Sequence, residues 1–138
     1  MFSVLADINW LALAIAVVAS FVIAGVWFAV VITKPYAVAL GREGAPAPAQ
    51  TPVTMLGPLL CILVTALTSA VLIEALDITS TGDAIAFGLI VGVGYLTAMT
   101  FQIAINPNFP RPLYYGALNA PYFVATSVLT SVVLVAMR

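Results

Sequence analysis

Ionisable side chains punctuate this chain sparsely, and between them run four long apolar blocks. No acid or base falls between Ile8 and Thr33, only Glu74 falls between Met55 and Leu76, and none falls in Ala84–Ile105 or Tyr114–Met137. A bilayer-crossing helix needs about 20 apolar residues, and each block meets that length. The pattern therefore predicts an all-α membrane protein, with four transmembrane helices in a compact bundle. Their expected bounds are about 8–33, 55–76, 84–105 and 114–137, in one domain over residues 1–138. The first would be about 39 Å long against a hydrocarbon core of ~30 Å, so it should tilt or project. Lys34-Pro35 should end it, because proline restricts the residue before it and breaks the hydrogen-bond ladder.

The breaks between blocks carry their own signals. Residues 41–54, GREGAPAPAQTPVT, form the one extended polar stretch, and their alternating proline and alanine suit an extended surface link. Ser80-Thr81-Gly82-Asp83 fits a capping box opening the third helix. Asn-Pro-Asn-Phe-Pro-Arg-Pro then separates the third helix from the fourth.

Composition narrows the chemistry. Of 138 residues, 64% are hydrophobic and 7% charged, too apolar a balance for a water-soluble domain of this size. There is no histidine, and Cys61 is the sole cysteine, so His-based acid–base chemistry, His ligation of metals and an intrachain disulfide are excluded. A net charge of −1 without a basic run leaves no footprint for nucleic acid. The N-terminal block lacks the basic segment and short core of a signal peptide, and is expected to remain in the mature protein.

Basic residues near helix ends set orientation. Lys34, Arg42 and Arg111 lie in the first and third connections and only Arg138 on the other side, so both termini are expected on the non-cytoplasmic face. Helix association in lipid depends on close backbone approach. Ala12, Ala16, Ser20 and Ala24 on the first helix, and Ala84, Gly88 and Gly92 on the third, form four-spaced stripes of small residues that are candidate packing seams.

Ile8-Asn9-Trp10-Leu11, Gly25 with Trp27 and Phe28, Lys34, Leu40-Gly41, Arg111-Pro112-Leu113, Asn119-Ala120 and Tyr122 resemble domain-of-unknown-function family 1761. The resemblance covers most of the chain outside the Pro/Ala link. It implies a small bacterial membrane protein of four helices in the cytoplasmic (inner) membrane, and it supplies no biochemical activity. Pro121 and Phe123 depart from the family, which often has a small residue and a histidine there.

Two clusters are candidate sites, since polar groups at membrane depth are costly. Glu74 and Asp77 are a candidate cation or proton site, with an interfacial or capping role as the alternative for Glu74 so near its helix end. Trp27, Lys34, Gln102, Asn106, Arg111, Asn119 and Tyr122 are predicted to meet at the cytoplasmic level as a polar pocket, or to serve only as belt, orientation and interhelical hydrogen-bonding residues. The hydroxyls of Thr65, Thr68, Ser69, Thr126, Ser127, Thr130 and Ser131 can bond back to their own helices. For RPLYYGALNAPYF two geometries are open: a helix from Pro112 that Pro121 kinks, slightly favoured, or a helix capped by Asn119. The resulting expectation is a non-enzymatic protein without cofactor or metal. It would act as an accessory subunit or self-associating bundle with lipid, itself or another membrane protein as partner. An oligomeric permease or channel, and binding of a lipid- or quinone-like molecule among the helices, are the alternatives.

Overall fold

The computed structural model describes residues 2–46 and 48–138. Met1 and Ala47, which fall within the expected domain and, for Ala47, the expected extended link, lie outside the described residues. The fold is all-α, and four of its helices are long and apolar enough to cross a membrane.

After a 3-10 turn at Phe2–Ala6, α1 spans Trp10–Val31. It starts two residues later than expected because Asn9 takes the N-cap, its side-chain oxygen accepting from Leu11 N and Ala12 N at 3.0 Å each. Its last turn, Trp27–Val31, widens into a π-helix. There Ile32 N–H donates to Trp27 O at 2.9 Å, and the Thr33 hydroxyl donates to Phe28 O at 3.1 Å.

The chain breaks at Ile32 and re-forms as a short helix that the hydrophobic pattern does not reveal, α2 (Thr33–Ala39). Pro35 falls in its first turn, where a missing N–H costs nothing. Gly41 closes it at φ +65°, with Gly41 N–H to Val38 O and Arg42 N–H to Ala37 O in the Schellman arrangement.

Helix α3 spans Pro52–Ala75. Its start corrects the expected link, whose last three residues are helical: Thr51 and Thr54 form a reciprocal capping box and Pro52 occupies the first turn. At its far end Asp77 adopts φ 52°, a left-handed position usually left to glycine, and Ile78 N–H closes on Ile73 O at 3.0 Å.

Helix α4 spans Thr81–Ala104. Ser80 caps it, accepting from Asp83 N at 3.0 Å. The Asp83 carboxylate accepts the serine hydroxyl at 2.7 Å, where the sequence suggested a bond to the backbone. Residues Ile90–Thr97 of α4 are π-helical. Helix α5 runs unbroken over Pro112–Ala136, with Pro121 inside it, the continuous geometry of the two.

Helix α5 is the axis of the bundle. Of its apolar stretch 44% is buried, against 17–22% in the other three spans, and α1, α3 and α4 all pack on it. It is antiparallel to α1 and α4 and parallel to α3. The shared core joins Ile8, Leu13, Val17, Ala66, Ala70, Ile73, Ala84, Phe87, Leu134 and Val135, all from the half of the bundle that holds Asn9 and Arg138. In the other half α3 departs: its buried residues are Ala66, Ser69, Ala70 and Ile73, and between its N-terminal half and Val17 lies an apolar groove of about 720 Å3, lined by Pro52, Leu56, Leu60 and Leu63 among others.

The small-residue stripes face inward. Ala12, Ala16 and Ser20 are buried, Ala24 is half-buried, and Ser20 Oγ lies 3.3 Å from Thr130 Oγ1 on α5. Ala84, Gly88 and Gly92 are buried against α5. A Cβ on Gly88 would stand 2.6 Å from Val128 Cα, and one on Gly92 2.9 Å from Val124 Cα. Phe101 of α4 covers Gly116 of α5 so closely that a Cβ there would collide with the ring.

Candidate functional site

At the end of the bundle that holds α2, six aromatic rings form a continuous chain. Phe109 meets Tyr115 at 4.9 Å between centroids, Tyr115 meets Tyr36 at 5.5 Å, and Tyr36 meets Phe28 at 5.4 Å. Phe28 then meets Tyr122 at 5.3 Å and Tyr122 meets Phe123 at 5.1 Å. Edge-on and tilted contacts of this kind add roughly 0.5–1.5 kcal/mol each beyond area burial. Together they fasten α1, α2 and the α4–α5 connection onto α5. The Tyr36 hydroxyl donates to that of Tyr115 at 3.3 Å. Burial, with this bond and then the Tyr115 charge as lesser causes, raises the Tyr36 pKa above the ordinary tyrosine value.

Trp27 docks beside the chain. Its indole N–H donates to Leu118 O at 3.0 Å, next to the Ala117 carbonyl that Pro121, lacking an N–H, leaves without its helical donor. Asn119 is buried and donates to Tyr115 O at 2.7 Å on its own helix.

Of the seven residues expected to share a polar pocket, Trp27, Asn119 and Tyr122 gather on this face of α5. The other four do not join them. Lys34 and Gln102 are exposed. Arg111 reaches Glu43 at 3.1 Å across an exposed surface, and Asn106 folds its turn, donating to Ile103 O and accepting from Asn108 N. The arrangement is a clamp more than a cavity. Tyr36, Phe109 and Tyr115 escape sequence reading because nothing in their spacing tells which rings will meet.

The opposite end carries the acids. Glu74 Oε2 and Asp77 Oδ1 both contact Arg138 Nη2, at 2.9 and 3.0 Å, while Nη1 donates to Ile78 O at 3.0 Å. The Glu74 side chain is 10% exposed and that of Asp77 83%. Glu74 and Asp77 thus share one basic partner, more than sixty positions away in the chain. Asn9 adds a second tie, donating from Nδ2 to Met137 O at 2.6 Å. One side chain therefore accepts from the start of α1 and donates to the carbonyl at the end of α5. Its position just before an apolar run is the N-cap signal a sequence reading can use.

Along α5, Thr126 and Ser131 donate back to Tyr122 O and Ser127 O at 2.8 Å each. On α3, Thr65 and Thr68 donate to Cys61 O and Val64 O at 2.9 Å each. Among the described residues the buried hydroxyl oxygens without a partner are those of Thr97 and Ser127, and no group of three or more His, Cys, Asp or Glu side chains suited to a metal occurs.

Four membrane-length apolar helices, closed at one end by an ion cluster and at the other by a chain of aromatic rings, define a small polytopic α-helical membrane protein. The sequence pattern of the family described as Protein of unknown function (DUF1761) matches residues 11–135, and the chain belongs to that family. No curated protein and no solved structure matches it.

Proposed function

We propose that this protein works without catalysis, by association within the membrane, as a self-associating bundle or as an accessory subunit of a larger membrane complex. The observation that carries the reading is the place of α5. It occupies the axis of the bundle and packs on all three other spans, so a single chain offers a filled interior and turns broad apolar faces outward. Part of the polar complement at the two ends is engaged internally: Arg138 with Glu74 and Asp77, Arg111 with Glu43, Tyr36 with Tyr115. The largest apolar surface left open is the outer one, where other chains and lipids are met.

Lys34, Arg42 and Arg111 at the α2 end, against Arg138 at the other, support an orientation with both termini on the non-cytoplasmic side, and the resemblance to small bacterial membrane proteins supports a bacterial cytoplasmic membrane. The deciding experiment is native mass spectrometry after extraction in mild detergent, which reports stoichiometry, partner chains and retained lipid together. Association predicts oligomers or a stable hetero-complex. A lone monomer, free of protein partners at the concentration found in the membrane, refutes it.

A further inference from the structure

The groove between α1 and α3 runs the depth of one leaflet. Its lining starts at Pro52, the first residue of α3, and ends at Leu63, in the middle of that helix, with Val17 of α1 opposite. At about 1.5 Å per residue this is roughly 16 Å, against about 15 Å for half of a hydrocarbon core. Val17, Pro52, Leu56, Gly57, Leu60 and Leu63 are among its walls, and no lining side chain carries a polar atom. Helix α3 has no buried residue before Ala66, so none of the described residues closes the gap. Two neighbours in sequence shape it. Pro58, inside α3, offers no N–H to the Thr54 carbonyl and lets the helix bend there. Gly57 brings no side chain, and a Cβ on it would meet nothing within 4 Å.

Walls of this kind exclude water, and leaving them bare forfeits dispersion contacts along their length. The medium at this depth is hydrocarbon. Spread over roughly 16 Å, the volume of about 720 Å3 gives a channel about 7–8 Å across. That is narrower than a helix with its side chains, about 10–12 Å, and wide enough for a hydrocarbon chain. Charge then selects the lipid. Lys34, Arg42 and Arg111 against Glu43 leave the α2 end, where the groove begins, positive, while Asp7, Glu74, Asp77 and Asp83 against Arg138 leave the other end negative. Glu43 occupies Arg111, whereas Lys34 and Arg42 are exposed and join no salt bridge among the described residues. The first turn of α3 carries no acid, so the positive end of its dipole is not offset. We infer that the groove holds an acyl chain of one anionic phospholipid from the leaflet on this side. Its headgroup lies at the level of Pro52, where Lys34 and Arg42 supply the opposite charge. The inference is independent of the association reading above, since a monomer or an oligomer can carry the lipid.

The test places the full chain in nanodiscs of equal parts phosphatidylglycerol and phosphatidylcholine, releases it into mild detergent and weighs it by native mass spectrometry. One phosphatidylglycerol per chain should persist, enriched about tenfold over phosphatidylcholine. Gly57→Phe puts a ring into the groove through open space; it should leave the unfolding midpoint in SDS unchanged and reduce retained lipid about tenfold. Gly94→Phe, a glycine in equally open space on α4, should retain lipid as the natural chain does. The double variant Lys34→Gln/Arg42→Gln, both exposed, should still hold one lipid and no longer prefer phosphatidylglycerol. A chain released without lipid, or Gly57→Phe retaining as much as the natural chain, overturns the groove as a lipid site. Equal retention of the two lipids by the natural chain overturns the anionic headgroup. A second protein chain that cross-links at Leu60→Cys in a Cys61→Ala background overturns lipid as the occupant.

Discussion

Replacing Gly88 by alanine tests how α4 and α5 are held. The added Cβ would stand 2.6 Å from Val128 Cα and 2.9 Å from both Ser127 O and Val128 N. All three neighbours are backbone, so no rotamer change makes room. Carbon atoms rest at about 3.5–4.0 Å, so the helices must separate by roughly 1 Å, and a gap of that size forfeits up to about half of each dispersion contact along the seam. Overpacking of this kind costs about 1–3 kcal/mol, while alanine regains up to about 1 kcal/mol of helix propensity. The net loss lies between about 0 and 3 kcal/mol, and because Gly94→Ala gains the same propensity, the two variants should differ by about 1–3 kcal/mol. Gly94→Ala supplies the internal control: the same chemical change on the same helix, with open space around the new atom, should be neutral or slightly stabilising. Titrating both variants with SDS in mixed micelles, followed by tryptophan fluorescence, gives the comparison. Equal unfolding midpoints for Gly88→Ala and Gly94→Ala would refute the argument that backbone contact at Gly88 holds the two helices together.

Three other perturbations probe the two ends. Asn9→Ala removes the α1 cap and the bond to Met137 O at once, and a loss of about 1–3 kcal/mol is expected in the same titration. Glu74→Gln should cost about 1–2 kcal/mol, between the values for exposed and buried pairs, whereas Asp77→Asn, at a side chain 83% exposed, should stay within about 0.5 kcal/mol. Tyr36 holds its proton in the fold above the ordinary tyrosine value of 10.0. Its contribution is complete below that pH and is lost as pH rises, because the unfolded chain ionises first. Stability should therefore fall from about pH 10 upward, and Tyr36→Phe should flatten that slope when unfolding is followed against pH.

The sequence carries the parts of the fold that are written locally. Apolar runs fix the four spans because a bilayer demands about 20 such residues wherever they lie. Ser80 and Asp83 mark the start of α4, and Ala84, Gly88 and Gly92 mark a seam, because caps and small-residue stripes are short-range signals. Three features escaped. Helix α2 is seven residues long and too short for a periodic pattern, with a proline that reads equally well as a stop or a first turn. The π-helical stretch Ile90–Thr97 depends on how α4 meets α5, which no propensity encodes. The candidate sites were legible as residue types and not as constellations. Trp27, Asn119 and Tyr122 gather on α5, but Lys34 and Arg111 point elsewhere because α2 and the α4–α5 connection determine their direction, and Gln102 lies on the exposed side of α4. Arg138 entered the sequence reading only as a topological marker. Its pairing with Glu74 and Asp77 needs α3 and α5 to run parallel and end at one level, a property of the assembled bundle.

The position of α5 on the axis has a consequence for how the protein is made. Synthesis runs from the N-terminus, so α1, α3 and α4 enter the membrane before the helix around which they are arranged has left the ribosome. Until then Ser20 has no Thr130 to meet, Gly88 and Gly92 face no backbone, and Glu74 has no arginine. The early helices share few contacts of their own beyond the α1–α3 crossing, so they wait as loosely associated segments exposed to lipid and to membrane quality control. Assembly around this axis waits for α5, and a ribosome that stalls before α5 would leave three spans without the helix they close on.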